Sequence, residues 1–215
     1  TAAASAAATD ALARKDADVL ALLGCGEQAL THARAMVHVR RVRDIRVWGR
    51  KLENARTLAS RLETELAIPA RPAASAAQAV RGADIICAVS SAAEPIVLSG
   101  DVADGAHVNL VGSSRAGPRE ADDALIARGR LFADHREGVL SQGAEVLHAI
   151  AAGLIGEGHL LGEIGEVFSG AIAGRLSDAD VTIYKSLGAI VQDLAAGWWV
   201  YNAAVARGLG VEAPF

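Results

Sequence analysis

Apolar and polar positions along this chain fall into short continuous runs separated by stretches of helical period. Val19–Leu23 (VLALL) is wholly apolar and bounded by turn residues, which predicts a buried strand. Residues 27–40 then carry Leu30, Ala33, Met36 and Val37 on one helical side. Asp44–Trp48 predicts a second strand, and Leu52–Leu66 a helix with Leu58, Leu62 and Leu66 at four-residue spacing. The same reading gives a strand over 68–72, a short helix over 75–80, and strands over 83–89 and 107–111. A helix over 120–127 and a strand over Arg130–Ala133 follow. Alternation of this kind implies an α/β fold, with a parallel sheet covered on both faces and ligands outside the C-terminal strand ends.

The pattern changes on either side. Residues 1–15 are rich in alanine and predict a helix packed through small side chains. Beyond Asp134, residues 141–152 read as helix, the glycine-rich 153–165 as loop with His159 at the surface, 163–174 as helix and 181–184 as strand. A long helix over 187–207 carries Trp198, Trp199 and Tyr201, which mark a surface packed against another domain or subunit; Gly208 suits its end. The expected division is a dinucleotide-binding domain over 16–140. Segments 1–15 and 141–215 are assigned to a second unit.

The chemistry starts where the first strand ends. Gly24-Cys25-Gly26-Glu27-Gln28-Ala29 reads G-x-G-x-x-A between a strand and a helix. Gly24 permits the tight turn, Gly26 lets backbone approach a pyrophosphate, and the N–H groups near Glu27 and Gln28 sit at the positive end of a helix. By itself the motif is weak, because strand–turn–helix junctions with two glycines are common. At the end of the second strand, about twenty residues on, stand Arg50 and Lys51 instead of an acid. A basic residue there suits a 2′-phosphate, which favours NADPH and leaves NADH as the alternative; two solvated charges at a helix start are the plain reading. Ser90 and Ser91 follow the fourth strand and suit a ribose or phosphate. Val111 to Ser114, Ser113 included, follow the fifth and are expected near the reactive ring. Glu120 and Asp122 are read as capping the next helix rather than as catalytic.

Composition narrows the partners. With 8 aromatic residues (3 Trp, 2 Tyr, 3 Phe) and a net charge of −4, the chain has neither the stacking surface nor the basic balance of a nucleic-acid binder. Cys25 and Cys87 sit in apolar contexts and read as reduced thiols, and the histidines show no metal-ligand spacing. No apolar run approaches the ~20 residues of a membrane span, and no signal peptide is apparent, so a cytoplasmic location is expected. The sequence opens at Thr1 without methionine, and this boundary reads as cut.

Five segments together carry a family resemblance: LLGCGEQA, VWGR, ADIICAVSSAAEP, HVNLVGSSRAGPREAD and, most specific because long, GEIGEVFSGAIAGRLSDADVTIYKSLGAIVQDLAA. The sequence resembles the ornithine cyclodeaminase and mu-crystallin family over nearly its whole length. The resemblance implies a Rossmann-type doubly wound parallel sheet. It also implies a second substrate and dimerisation domain, built from an N-terminal part absent here and from the C-terminal helices, and hence a homodimer. It adds Thr1, preceded in the family by a substrate-binding arginine, and Lys185 and Ser186 of a YKS motif to the cofactor site. Ser114 stands where cyclodeaminases and related alanine dehydrogenases carry an aspartate, which points to the ketimine and pyrroline-2-carboxylate reductase branch, with Ser114 as the catalytic candidate. The implied activity is NADPH-dependent reduction of a cyclic imine carboxylate. A NAD-dependent cyclodeaminase or alanine dehydrogenase-like enzyme, and a small-molecule binding protein like mu-crystallin, which binds thyroid hormone, stay open.

Overall fold

A single parallel sheet organises the chain, and the computed structural model describes residues 1–211 and 213. Its strands are β1 (Val19–Leu23), β2 (Asp44–Trp48), β3 (Ala70–Pro72), β4 (Ile85–Ala88), β5 (His107–Leu110), β6 (Arg130–Ala133), β7 (Leu160–Glu163) and β8 (Thr182–Lys185). They lie in the order β3-β2-β1-β4-β5-β8-β6-β7, and each neighbouring pair is parallel. The helices are α1 (Ala2–Leu12), α2 (Glu27–Val39), α3 (Leu52–Leu66), α4 (Ala76–Val80), α5 (Asp123–Arg128), α6 (Arg136–Gln142), α7 (Ala144–Ala151), α8 (Ile164–Phe168) and α9 (Ile190–Ala206).

Continuous apolar strands arise because both faces of the sheet are covered. Leu20 and Leu22 of β1, with Ile85 and Cys87 of β4, join the core under α1, α2 and α3. Ala21, Leu23, Ile86 and Ala88 point the other way, against Leu125, Ile126, Val139 and Val146 of α5, α6 and α7. Tyr184 and Phe132 pack with Leu12 and Ile164 beside the first of these cores.

The sheet extends past residue 140, so the expected boundary there cuts through it. β7 lies in the stretch expected to be loop. Its Gly162, a residue that weakens a strand signal, is required because a Cβ there would collide with Ile172. β8 inserts between β5 and β6. The helix expected over 141–152 is two helices, α6 and α7, broken at Gly143, and α8 is shorter than the expected 163–174. His159 is half-buried, its Nε2 2.7 Å from the Ile126 carbonyl. Asp122, as expected, caps α5, accepting from the Leu125 N–H at 2.9 Å.

Helix α1 was assigned to the second unit but packs on α2, β5 and β8. Its small residues allow close approach, and Thr9 Oγ1 accepts from Asn109 Nδ2 at 3.0 Å. At the C-terminal end of α1, where intrahelical partners run out, Arg175 Nε and Thr182 Oγ1 donate to the Leu12 carbonyl at 2.8 and 3.1 Å, and one buried side chain meets several of the others. Arg40 donates to the carbonyls of Thr9 (3.1 Å), Asp10 (2.9 Å), Ala13 (2.9 Å) and Arg14 (2.8 Å) and to the Asp10 carboxylate at 2.6 Å. That contact lowers the Asp10 pKa. Helix α9 differs from the rest: none of its residues is buried, and Trp198 and Trp199 are 66% and 70% exposed. No helix among the described residues is long and apolar enough to cross a membrane.

Arg40→Met removes the guanidinium donors to the Thr9, Asp10, Ala13 and Arg14 carbonyls, the Ala13 carbonyl among them buried. We expect a loss of about 3 kcal/mol in urea unfolding, with a change under roughly 0.5 kcal/mol for the exposed Lys15→Met as control.

Candidate functional site

At the C-terminal ends of β1, β2, β4 and β5 the chain encloses a crevice of about 890 Å³. This is where the strand order reverses across the sheet, from β1 outward to β3 and from β4 outward to β7, and where doubly wound sheets bind ligands. Its walls include Gly24, Cys25, Gly26 and Gln28 from the first turn and Trp48 to Lys51 from the end of β2. Asn54 of α3, Val89 to Ala92 after β4, and Val111 and Gly112 after β5 complete them.

Close backbone contact explains the turn. Gly24 has φ +137°, and a Cβ there would lie 2.6 Å from the Val89 carbonyl oxygen. Gly26 is the N-cap of α2, and a Cβ on it would meet nothing within 4 Å, so this glycine borders open space. No side chain caps α2, which leaves the first N–H groups of the helix, at Glu27 and Gln28, directed at the crevice mouth without intrahelical acceptors. These groups fit a diphosphate. Arg50 and Lys51 stand on the β2 side, at the N-terminal end of α3, and no side chain caps that helix either.

The far wall is built differently. Glu120, 0% exposed, lies behind Ser90 and Gly112. Its Oε1 accepts from the Ser90 N–H and from Ser90 Oγ, both at 2.7 Å, and its Oε2 accepts from the Gly112 N–H at 2.7 Å. Burial pushes the Glu120 carboxyl up, and the Ser90 and Gly112 donors oppose that shift by favouring the ionised form. The Glu120 N–H donates to Glu145 Oε1 at 3.0 Å. Glu145 Oε2 lies 2.8 Å from Lys185 Nζ, an ion contact whose angle falls short of a hydrogen bond. Lys185 Nζ also donates to the Ser113 carbonyl at 2.6 Å. Glu120, read from the sequence as a cap, is therefore a buried ligand of two strand ends; its proximity to a helix start masked partners thirty residues away.

Of the residues singled out in the sequence, Gly24, Gly26, Gln28, Arg50, Lys51, Ser90, Ser91 and Val111 line this one crevice. Six expected residues do not line the crevice. Lys185 and Ser186 are buried, one on Glu145 and the Ser113 carbonyl, the other 3.2 Å from Asp134 Oδ2. Ser113 is buried, and its hydroxyl turns to the Pro118 carbonyl. Ser114 is exposed on the loop beyond β5, Thr1 is exposed at the start of α1, and the Glu27 side chain is exposed on α2. Trp48, Gly49 and Asn54 were not anticipated. Asn54 falls one helical turn beyond Arg50, a spacing that could have drawn it in. Cys25 and Cys87 are free, and burial raises both thiol pKa values, Cys87 to about 12.

Known proteins match this chain at high coverage. The model of the ornithine cyclodeaminase/mu-crystallin family matches residues 1–208. The ketimine reductase mu-crystallin of Mus musculus is 38% identical over 203 residues, which is 94% of this chain and 61% of that protein. The structure of Thermococcus litoralis Delta(1)-pyrroline-2-carboxylate reductase in complex with NADH and L-proline superposes with a TM-score of 0.94. Its identity is 32%, over 99% of this chain and 66% of that one. An archaeal alanine dehydrogenase dimer with bound NAD gives a TM-score of 0.92 at 29% identity, over 100% of this chain and 66% of that one. The chain thus spans about three-fifths to two-thirds of the length of these proteins.

The glycines separate two kinds of constraint. A methyl at Gly112 would strike the Ser90 carbonyl and come within 2.5 Å of Glu120 Oε1, so Gly112→Ala is expected to lose roughly 3 kcal/mol in denaturant unfolding. Gly26→Ala, with φ −90° and open space, should stay within about 1 kcal/mol of the parent.

Proposed function

We propose, from the premise that the chain belongs to the ornithine cyclodeaminase/mu-crystallin family, that the protein reduces a cyclic imine carboxylate of the pyrroline-2-carboxylate or piperideine-2-carboxylate type with NADPH. The observation that carries the cofactor half is the crevice itself, with uncapped α2 at one end and Arg50 and Lys51 on the adjoining wall. The reductase half rests on the similarity to a ketimine reductase and a pyrroline-2-carboxylate reductase. Ser114, where a cyclodeaminase-type carboxylate would stand, supports it further.

A bound nicotinamide coenzyme supplies the hydride for such a reduction. In this reading Gly24 and Gly26 bring the backbone to the diphosphate, and the N–H groups of Glu27 and Gln28 donate to it. Arg50 pairs with the 2′-phosphate, Lys51 adds charge and Asn54 a hydrogen bond. Ser90, Ser91, Val111 and Gly112 border the nicotinamide side. Lys185, Ser186 and Ser113 act from behind this wall: Lys185 fixes the Ser113 carbonyl, and Ser186 ties the end of β8 to Asp134. Ser114, exposed and without a neighbouring base among the described residues, can donate a hydrogen bond or order a water but is a poor proton acceptor.

Helix α9 belongs in this reading to the surface covered by a second copy of the chain. Its exposed Ile190, Leu194, Trp198 and Tyr201 support that assignment, as does the dimer of the similar alanine dehydrogenase.

Titration followed by nicotinamide fluorescence tests the cofactor. NADPH is expected to bind more tightly than NADH, and Arg50→Ala to weaken NADPH by about 10- to 100-fold while changing NADH less than about 2-fold. Preference for NADH in the parent chain would overturn the role of Arg50.

A further inference from the structure

The two ends of the crevice differ in their donors. At the α2 end stand free helix N–H groups, Arg50 and Lys51. At the β4–β5 end the Ser90 and Gly112 donors point inward, while Ser91 stays exposed on the crevice wall. The Ser90 N–H and the Gly112 N–H both go to Glu120. Ser90 Oγ gives its single proton to Glu120 Oε1 at 2.7 Å and accepts the Ala92 N–H at 3.1 Å. One lone pair of Ser90 Oγ is left for anything in the crevice. Behind this wall lie Glu120, Glu145 and Lys185, each fully buried, two anionic and one cationic.

We propose that Glu120 is a positioning residue that orients a dinucleotide by taking up the Ser90 and Gly112 donors at the β4–β5 end, so that Ser90 Oγ accepts from a ribose hydroxyl. The proposal rests on the cofactor reading above and sharpens it. Ser90 alone would suit either ribose or phosphate, because a free hydroxyl both donates and accepts. With its proton committed to Glu120, it can meet a hydroxyl or an amide N–H but not a phosphate oxygen, which is an acceptor only. The polar ends of the crevice then admit the dinucleotide in one direction, diphosphate at α2 and nicotinamide ribose at Ser90.

Two ligands separate this role from a structural one. NADPH reaches both ends of the crevice, whereas adenosine 2′,5′-bisphosphate reaches only the Arg50 side. Glu120→Gln and Ser90→Ala are each expected to raise the Kd for NADPH by about tenfold and the Kd for adenosine 2′,5′-bisphosphate by less than about twofold. The double variant should lose little more than either single one, because the two groups act through one hydrogen bond. Ser90→Ala deletes one oxygen and leaves the Glu120 contact to Gly112, so it serves even if Glu120→Gln does not fold. Equal weakening of both ligands, or unchanged NADPH binding in Ser90→Ala, overturns the proposal while leaving the cofactor reading in place. A parent chain that binds neither ligand overturns both.

Discussion

Where β1, β4 and β5 end, the backbone leaves no room for side chains. Gly24 lies against the Val89 carbonyl and Gly112 against Ser90, and these two contacts fix how far the first turn stands from the wall opposite. The crevice follows from that spacing. In a parallel sheet covered on both faces the strand N–H groups are consumed by the ladder, so the free donors are those at uncapped helix starts. Here α2 and α3 both open onto the same cavity without a capping side chain. A glycine turn, two uncapped helices and a pair of cations make one end of the crevice anion-seeking.

The opposite wall needs a different solution, because β5 and β8 carry polar residues into the core. Lys185 and Glu145 offset one another, and Glu120 is satisfied by three donors from Ser90 and Gly112. Buried ion pairs contribute little net stability, and removal of one partner costs far more than the pair returns. What the cluster contributes is placement: it ties α7 and β8 to the loops at the ends of β4 and β5. The same economy appears at α1, where one Arg40 serves several carbonyls near the helix end.

Much of this was legible in the sequence. Val19–Leu23, Asp44–Trp48 and Leu52–Leu66 stand where their periodicity places them, because apolar pattern and turn residues agree there. Gly24, Gly26 and Arg50 could be tied to a cavity through their spacing alone. β7 was not legible, since Gly162 and its glycine-rich approach look like loop until Ile172 packs across it. Glu120 was misread because local sequence shows a helix start and not Ser90. Lys185 is expected at the site by motif and lies one layer behind the crevice, on Glu145 and the Ser113 carbonyl. In residues 1–15 the alanines give no directional pattern, so the face that α1 buries against α2 is visible only in three dimensions.

The most direct measurement is a crystal structure of the chain with NADPH bound. The account predicts diphosphate oxygens within about 3 Å of the N–H groups of Glu27 and Gln28, the 2′-phosphate on Arg50, and a nicotinamide-ribose hydroxyl on Ser90 Oγ. A coenzyme bound with its diphosphate against Ser90 and Gly112, or outside this crevice, would contradict it.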